Sequence, residues 1–331
     1  MSGGSRRRFW TWLVAVPLAA FLLYWSLRGV DWELVWKTLS GARWGLIAEA
    51  FGLVFLSFFL RALRWRILLN AEETLPVGEV FCATMAGYMG NAFLPARAGE
   101  MVRTLVVSGR SSLSKTYVLT TALSERLMDV IALVLWSSLV LLGVRQKPEW
   151  MGAVARTMAI IALLGAVAIA VLPHTGGLCQ SLLRRVPLPP ALSHRVSALA
   201  DQVLRGMRAF HNPARFFGFS GFTVAIWISD ALGVMAWTHS VGLAVSFSTA
   251  ILLLTGLGLG SGLPSTPGYI GIYQFVAVTV LAPFGISKSS ALAFILLMQT
   301  GGYAATLALG LPSLYILRAR KRGKDGRPFK S

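Results

Sequence analysis

"GYMGNAFLPARAGEMVR", Gly87 to Arg103, decides how this chain is read. It lies among long oily runs, yet it holds a proline, two arginines and a glutamate. Proline removes a helical hydrogen bond and clashes with the turn before it, so one continuous helix cannot carry this stretch across a bilayer. Non-helical backbone at membrane depth survives only where it is buried in protein or lines a wet cavity. The stretch therefore predicts a break in the helical structure facing such a cavity.

The surroundings are those of a membrane protein. Of 331 residues, 55% are hydrophobic and 13% charged, and the mean hydropathy is +0.66. That is more apolar surface than one water-soluble core needs. Runs long enough to cross about 30 Å of hydrocarbon fall near 9–27, 44–60, 117–143, 153–172, 216–240 and 289–317. Two further apolar stretches, 77–108 and 249–284, are cut by proline and glycine and read as pairs of half-helices. "SRRRFW" before the first run resembles a secretory signal, but the run is long and no small-residue cleavage site follows it, so an uncleaved first span is expected.

The net charge of +18 is topological. With the N-terminal arginines in the cytoplasm, 23 of the 31 Lys and Arg residues fall inside and 7 outside, with Arg126 within a span. A nucleic-acid partner is not expected. Both termini are then cytoplasmic, and the 77–108 segment must enter and leave from the cytoplasm while 249–284 does so from outside. "LPARAG" (Leu94–Gly99) and "LPSTPG" (Leu263–Gly268) share Leu-Pro, three residues, Gly, at an offset of 169. The flanking spans repeat at a similar offset. The predicted fold is an all-α polytopic membrane protein with six full transmembrane helices and two re-entrant hairpins in an inverted-topology repeat. Residues 1–148 form the first repeat, 149–317 the second with a linker at 173–215, and 318–331 a basic cytoplasmic tail. Within the linker, apolar residues from Leu192 to Phe210 recur at helical spacing, which fits either a helix on the cytoplasmic leaflet or one packed on the protein's own loops.

Charges inside spans need a reason. "SERLMDV" puts Glu125 and Asp129 on one helix face and lets Arg126 pair with Asp129; "WISDALG" carries Asp230 near a span centre. They form either a structural ion-pair network, with Asp129 or Asp230 answering a hairpin arginine, or the lining of a polar cavity. In the first hairpin Pro95 ends one half-helix, Gly99 allows close approach, and Arg97, Glu100 and Arg103 follow the break. An arginine fork matches phosphate oxygens. The second hairpin is uncharged: Gly262, Pro264, Pro267, Gly268 and Gly271 shape it, and Ser265, Thr266, Tyr269, Tyr273 and Gln274 supply neutral hydrogen-bonding groups. Cys82 and Cys179 have no metal or redox spacing, and with no P-loop, HExxH or metal cluster no cofactor or metal is expected.

"RALRWRILL", "GYMGNAFLPARAGEMVR", "ERLMD" and "GLPSTPGYIGIYQ", in this order and over nearly the whole chain, resemble the lysylphosphatidylglycerol synthase transmembrane domain family, a flippase-like group. The resemblance implies a lipid translocase of the bacterial inner membrane, acting on a phospholipid, glycolipid or polyprenyl-linked lipid, with an anionic headgroup and with lipid-synthesis enzymes as possible partners. It carries motif positions to Arg97, Glu100, Arg103, Glu125, Arg126, Asp129, Pro264, Pro267, Gly268 and Gly271. Many members have a glutamate shortly after the second Pro-Gly, where Tyr273 and Gln274 stand here. The founding enzymes carry a soluble aminoacyl-transfer domain; this sequence ends in a basic tail, so lysylphosphatidylglycerol synthesis is not expected. A non-transporting partner protein and an intramembrane lipid-modifying enzyme using Glu100, Glu125 or Asp129 are the alternatives, though no catalytic constellation is evident.

Overall fold

The computed structural model describes residues 16–94, 98–143, 210, 212–262 and 267–325, with a few more between 156 and 167. Pro95, Arg97, Pro264, Ser265 and Thr266, most of the predicted span at 153–172 and nearly all of the 173–215 linker lie outside the described residues, as does the side chain of Pro267. Regular structure among the described residues is helical.

In chain order the helices are α1 (Val16–Leu27), α2 (Trp32–Ser40), α3 (Trp44–Leu69), α4 (Val77–Phe93), α5 (Gly99–Ser108) and α6 (Lys115–Gly143), then α7 (Pro213–Ser240), α8 (Phe247–Gly260), α9 (Ile272–Leu281) and α10 (Lys288–Asp325). Four of these, α3, α6, α7 and α10, are long and apolar enough to cross a membrane. The starts are set locally. Asp31 and Ser246 cap α2 and α8 by accepting from Leu34 N and Thr249 N, and Asn212 does the same for α7 with Pro213 at its first position.

Both interrupted stretches are helix pairs. In the first, α4 has 17 residues and α5 has 10; at about 1.5 Å per residue neither reaches across 30 Å of hydrocarbon. In the second, α8 has 14 residues and α9 has 10. The legs of the first pair close on Gly87, Gly90 and Gly99: a Cβ on Gly99 would overlap the Gly87 carbonyl, and the Gly99 N–H donates to Asn91 Oδ1 at 3.0 Å. Small residues let helix backbones approach this closely.

Two features differ from the sequence reading. The second span, placed at 44–60, continues as α3 to Leu69, so Arg61, Arg64 and Arg66 belong to the same helix. Arginine is a good helix former, and the first two are held by carboxylates described below. The segment between α1 and α3 also contains α2, fastened to α10: Asp31 N–H donates to Ser289 Oγ, and Lys288 Nζ to the carbonyls of Trp25 and Arg28.

The longest interface is between α3 and α7. Its ends are tied reciprocally. Arg43 at the start of α3 donates to the His239 carbonyl near the end of α7 (2.6 Å), and Arg215 near the start of α7 donates to the Asn70 carbonyl at the end of α3 (3.4 Å). Around this crossing the packing of the two halves corresponds. The contact of α4 with α10 has its counterpart in α8 with α6, α5 with α6 in α9 with α10, and α3 with α4 in α7 with α8. Much of the core sits on the α7 side, around Trp237, Ile251, Leu253, Leu281 and Phe294, with a smaller cluster about Trp65, Val80 and Tyr117.

The second helix pair depends on two left-handed glycines. Gly268 has φ +76° and faces the Tyr303 hydroxyl; Gly271 has φ +89° and faces the Ala19 carbonyl. Gly262 has ordinary backbone and would set a Cβ 3.0 Å from the Leu259 carbonyl. Alanine at 268 or 271 combines backbone strain with overlap, at a cost of order 1–3 kcal/mol each. Gly268→Ala and Gly271→Ala should therefore lower the melting temperature in detergent clearly more than Gly262→Ala.

Candidate functional site

Four arginines and four carboxylates meet where α3, α5, α6 and α7 come together. Arg64 is the centre and is fully buried. Its Nη1 and Nη2 donate to the two oxygens of Asp129 at 2.6 and 3.0 Å, its Nη2 and Nε donate to Glu125 Oε1 at 2.9 and 3.2 Å, and Nη1 reaches Thr223 Oγ1 at 3.2 Å. Glu125 and Asp129 are one turn apart on α6, so a single planar fork from α3 grips both. Arg103 donates through Nη1 to the other Glu125 oxygen at 2.7 Å, pairs through Nε with Glu100 Oε2 at 2.5 Å, and stacks on Trp65 with its Cζ 4.6 Å from the ring centroid. Arg126 donates to Glu100 Oε1 at 2.8 Å and lies 3.8 Å from Asp129. Arg61 donates to Asp230 at 2.5 Å and to Ser57 Oγ at 3.3 Å, and lies 3.7 Å from Asp129.

These groups divide by access. Arg64, Arg103 and Glu125 are packed behind the site. Arg61, Glu100, Arg126, Asp129 and Asp230 line a cavity of about 730 Å³ between the two halves. Arg126 is the most open of the cluster arginines, its side chain 36% exposed against 4% for Arg103 and none for Arg64. The far wall is neutral. Tyr269 and Tyr273 stack at 4.9 Å with their planes 10° apart, and both line the cavity with Gln299 and Tyr303.

An amide relay holds the second helix pair to α10. Gly271 N–H donates to Gln274 Oε1 at 2.7 Å, Gln274 Nε2 donates to Gln299 Oε1 at 2.7 Å, and Gln299 Nε2 donates to the Gly268 carbonyl at 2.5 Å. The Tyr303 hydroxyl donates to the same carbonyl. Gln274 is buried and serves this relay from behind the cavity wall.

The structure thus brings together Glu100, Arg103, Glu125, Arg126, Asp129 and Asp230 from the residues singled out in the sequence, and sets Tyr269 and Tyr273 across the cavity from them. Asp129 and Asp230 answer Arg61 and Arg64 of α3, whereas Arg103 of α5 is answered by Glu100 and Glu125. Arg61 and Arg64 were missed as site residues, although their spacing in "RALRWR", three apart like a helix face, was the available signal. Gln299, a lone amide in the apolar run "FILLMQTGGY", was the corresponding signal on α10. Among the described residues no group of three or more His, Cys, Asp or Glu side chains is placed to hold a metal ion.

A helical multi-pass membrane protein with charged groups gathered around an internal cavity is the class these features define. The chain belongs to the family described as the lysylphosphatidylglycerol synthase TM region, whose pattern it matches over residues 12–310. It is also similar to a curated protein of Haloferax volcanii named glycosyltransferase AglD, with 24% identity over 340 residues, covering 92% of this chain and 53% of the relative. The chain spans about half the length of that relative.

Breaking a buried ion pair from one side leaves the other charge stranded, at a cost of roughly 3 to 5 kcal/mol. Arg64→Gln strands part of Glu125 and Asp129 together, so it should reduce folded yield in detergent severely. Arg126→Gln, at the open edge, should leave yield and melting temperature near those of the unaltered protein.

Proposed function

We propose that this protein moves a lipid between the leaflets of the bacterial inner membrane, passing the headgroup through the cavity between its halves. The observation that carries this reading is the placement of Arg61, Glu100, Arg126, Asp129 and Asp230 on a cavity flanked by two pairs of short helices. Ionisable side chains inside a membrane domain are costly and mark pathways for polar groups. The apolar residues of the same cavity, among them Leu53, Phe58, Leu254 and Met298, suit the part of a lipid next to its headgroup. Family membership supports a membrane-lipid substrate. The likeness to a protein named as a glycosyltransferase makes lipid-linked sugars a class to test beside phospholipids.

In this reading α4–α5 and α8–α9 are re-entrant hairpins of an inverted repeat, entering from the cytoplasm and from outside respectively. Support comes from the start of α3 at Trp44 and of α7 at Pro213, 169 positions apart, and from the reciprocal ties of Arg43 and Arg215. Six spans, cytoplasmic termini and rocking of one repeat against the other about the midplane site complete the proposal. The cluster carboxylates are each held by at least one arginine, which favours transport over acid–base chemistry.

Topology is testable by labelling. A cysteine replacing Ser287, before α10, should react with a membrane-impermeant maleimide added outside cells, and one replacing Ser112, between α5 and α6, should not. External labelling at Ser112 would overturn the orientation of the first hairpin.

Activity is testable with purified protein in liposomes carrying fluorescent phospholipids or lipid-linked sugars, read by the accessibility of the label to an external quencher. Exchange should exceed that of protein-free vesicles for at least one lipid, and Arg126→Ala should slow it about tenfold or more through loss of charge-assisted bonds. Lipid exchange at the protein-free rate across both classes would sink the translocase reading.

A further inference from the structure

The cluster is electrically closed. Arg61, Arg64, Arg103 and Arg126 face Glu100, Glu125, Asp129 and Asp230. Among the described residues an anion entering this low-dielectric cavity meets no spare positive charge, and it reaches one of these cations by taking the place of a carboxylate. The carboxylates are not held equally. Glu125 is shared by Arg64 and Arg103, Glu100 by Arg103 and Arg126, and Asp129 is gripped by Arg64 with Arg61 and Arg126 nearby. Among the described residues Asp230 has a single arginine, Arg61, and its side chain is the most exposed of the four at 18%. It also belongs to the other half of the chain. Among the described residues the Arg61–Asp230 bond is the one ion pair joining helices before Gly143 to helices after Asn212.

One further group points the same way. Trp227, one turn before Asp230 on α7, lines the cavity beneath Arg61, whose Cζ stands 5.2 Å from the indole centroid. Its ring N–H is buried and has no hydrogen-bond partner among the described residues. A buried donor without an acceptor is unfavourable by about 1–3 kcal/mol, so this N–H is an unsatisfied group in the wall behind Arg61.

We infer that Arg61 is the anion-binding residue of this cavity and that Asp230 is its resting occupant: the phosphate of a lipid headgroup displaces Asp230 from Arg61, and in doing so releases the ionic tie between the two halves. This rests on the translocase reading for its substrate and adds the residue that receives the charge and the contact that binding breaks. The planar guanidinium can donate to two phosphate oxygens, where it now donates to one oxygen of Asp230 and lies 3.7 Å from Asp129.

The consequence runs against the usual effect of deleting a site residue. Asp230 competes with the ligand, so removing its charge strengthens binding. The test uses full-length protein in detergent, titrated with dihexanoyl phosphatidic acid, with dihexanoylglycerol as the uncharged lipid and with inorganic phosphate as the lipid-free anion. Asp230→Asn should remain folded and bind the phosphatidic acid about tenfold more tightly than the unaltered protein, the lower end of coupling between close charge pairs. Arg61→Gln, which leaves Asp230 free, should lose that binding. Dihexanoylglycerol should show no dependence on either residue, and phosphate alone should bind more weakly than the lipid; equal affinity for phosphate would assign the site to a free anion and overturn the headgroup assignment.

Unchanged or weaker binding by Asp230→Asn, or unchanged binding by Arg61→Gln, overturns the inference. So does loss of folded Asp230→Asn protein, since a displaceable carboxylate cannot be a structural necessity. Binding is measured apart from exchange. If the binding changes appear but no lipid crosses liposomes, the translocase reading fails and the anion site stands; exchange without the binding changes gives the reverse.

Discussion

Arg64 is the contact on which the rest of the structure depends. A guanidinium with no solvent exposure, deep in an apolar protein, is tolerable only when its donors are paired with good geometry. Here Glu125 and Asp129 take its two sides and Thr223 a third position, so α3, α6 and α7 meet at one group. Arg64 Cζ also stands 5.0 Å from the Phe219 ring centroid, which sets α7 against the same point. With these two carboxylates fixed from behind, their other faces are positioned for Arg103, Arg126 and Arg61. The outer members of the cluster are thus oriented by a pair they do not themselves form.

That anchoring explains where a broken helix can be accommodated. Glu100 and Arg103 lie in the first turns of α5, just past the break, and their charges close on Glu125 and Arg126 of α6. The first helix pair is held by ions. The second is held by neutral groups: the Gln274–Gln299 amides, the Tyr303 hydroxyl and the Gly268 carbonyl. The first pairs charged side chains beside its break, and the second also satisfies the Gly271 N–H and the Gly268 carbonyl. They differ in consequence, since amide bonds carry no net charge to a neighbour and exert little long-range pull across the cavity.

The sequence made the breaks legible because proline and glycine act through local backbone geometry, and "LPARAG" and "LPSTPG" needed no knowledge of partners. Glu125, Asp129 and Asp230 were legible for a related reason: a carboxylate in an apolar run is conspicuous by itself. Arg61 and Arg64 were not. A hydropathy window closes at the first arginine, and a topology argument assigns such residues to the cytoplasm. What keeps them inside the protein is Asp129, 65 positions beyond Arg64, and Asp230, 169 beyond Arg61. No local pattern encodes those pairings. Of the two hairpin arginines available to answer these acids, Arg97 lies outside the described residues and Arg103 pairs with Glu100 and Glu125, while Asp129 and Asp230 are met by arginines of α3. Gln274 stood out as a departure from a motif, but its relay through Gln299 depends on α10 packing and was beyond sequence reasoning.

The separation of 169 between Arg61 and Asp230 equals the offset between "LPARAG" and "LPSTPG" and between the starts of α3 and α7. In a molecule of two related halves, a residue touches its own counterpart only beside the axis that relates them. The reciprocal contacts of Arg43 with His239 and Arg215 with Asn70 lie at the two far ends of the same crossing. On the proposed inverted repeat the Arg61–Asp230 bond is near the pivot, where rocking of one half against the other would change distances least. An ion pair at the rim of such an interface would be pulled apart by a small rotation. One beside the pivot is insensitive to rotation and yields to a competing charge instead. On the same proposal the contact responds to what occupies the cavity, while the Arg64 core, which reaches α7 through Thr223 and Phe219, holds the crossing together as the contact changes.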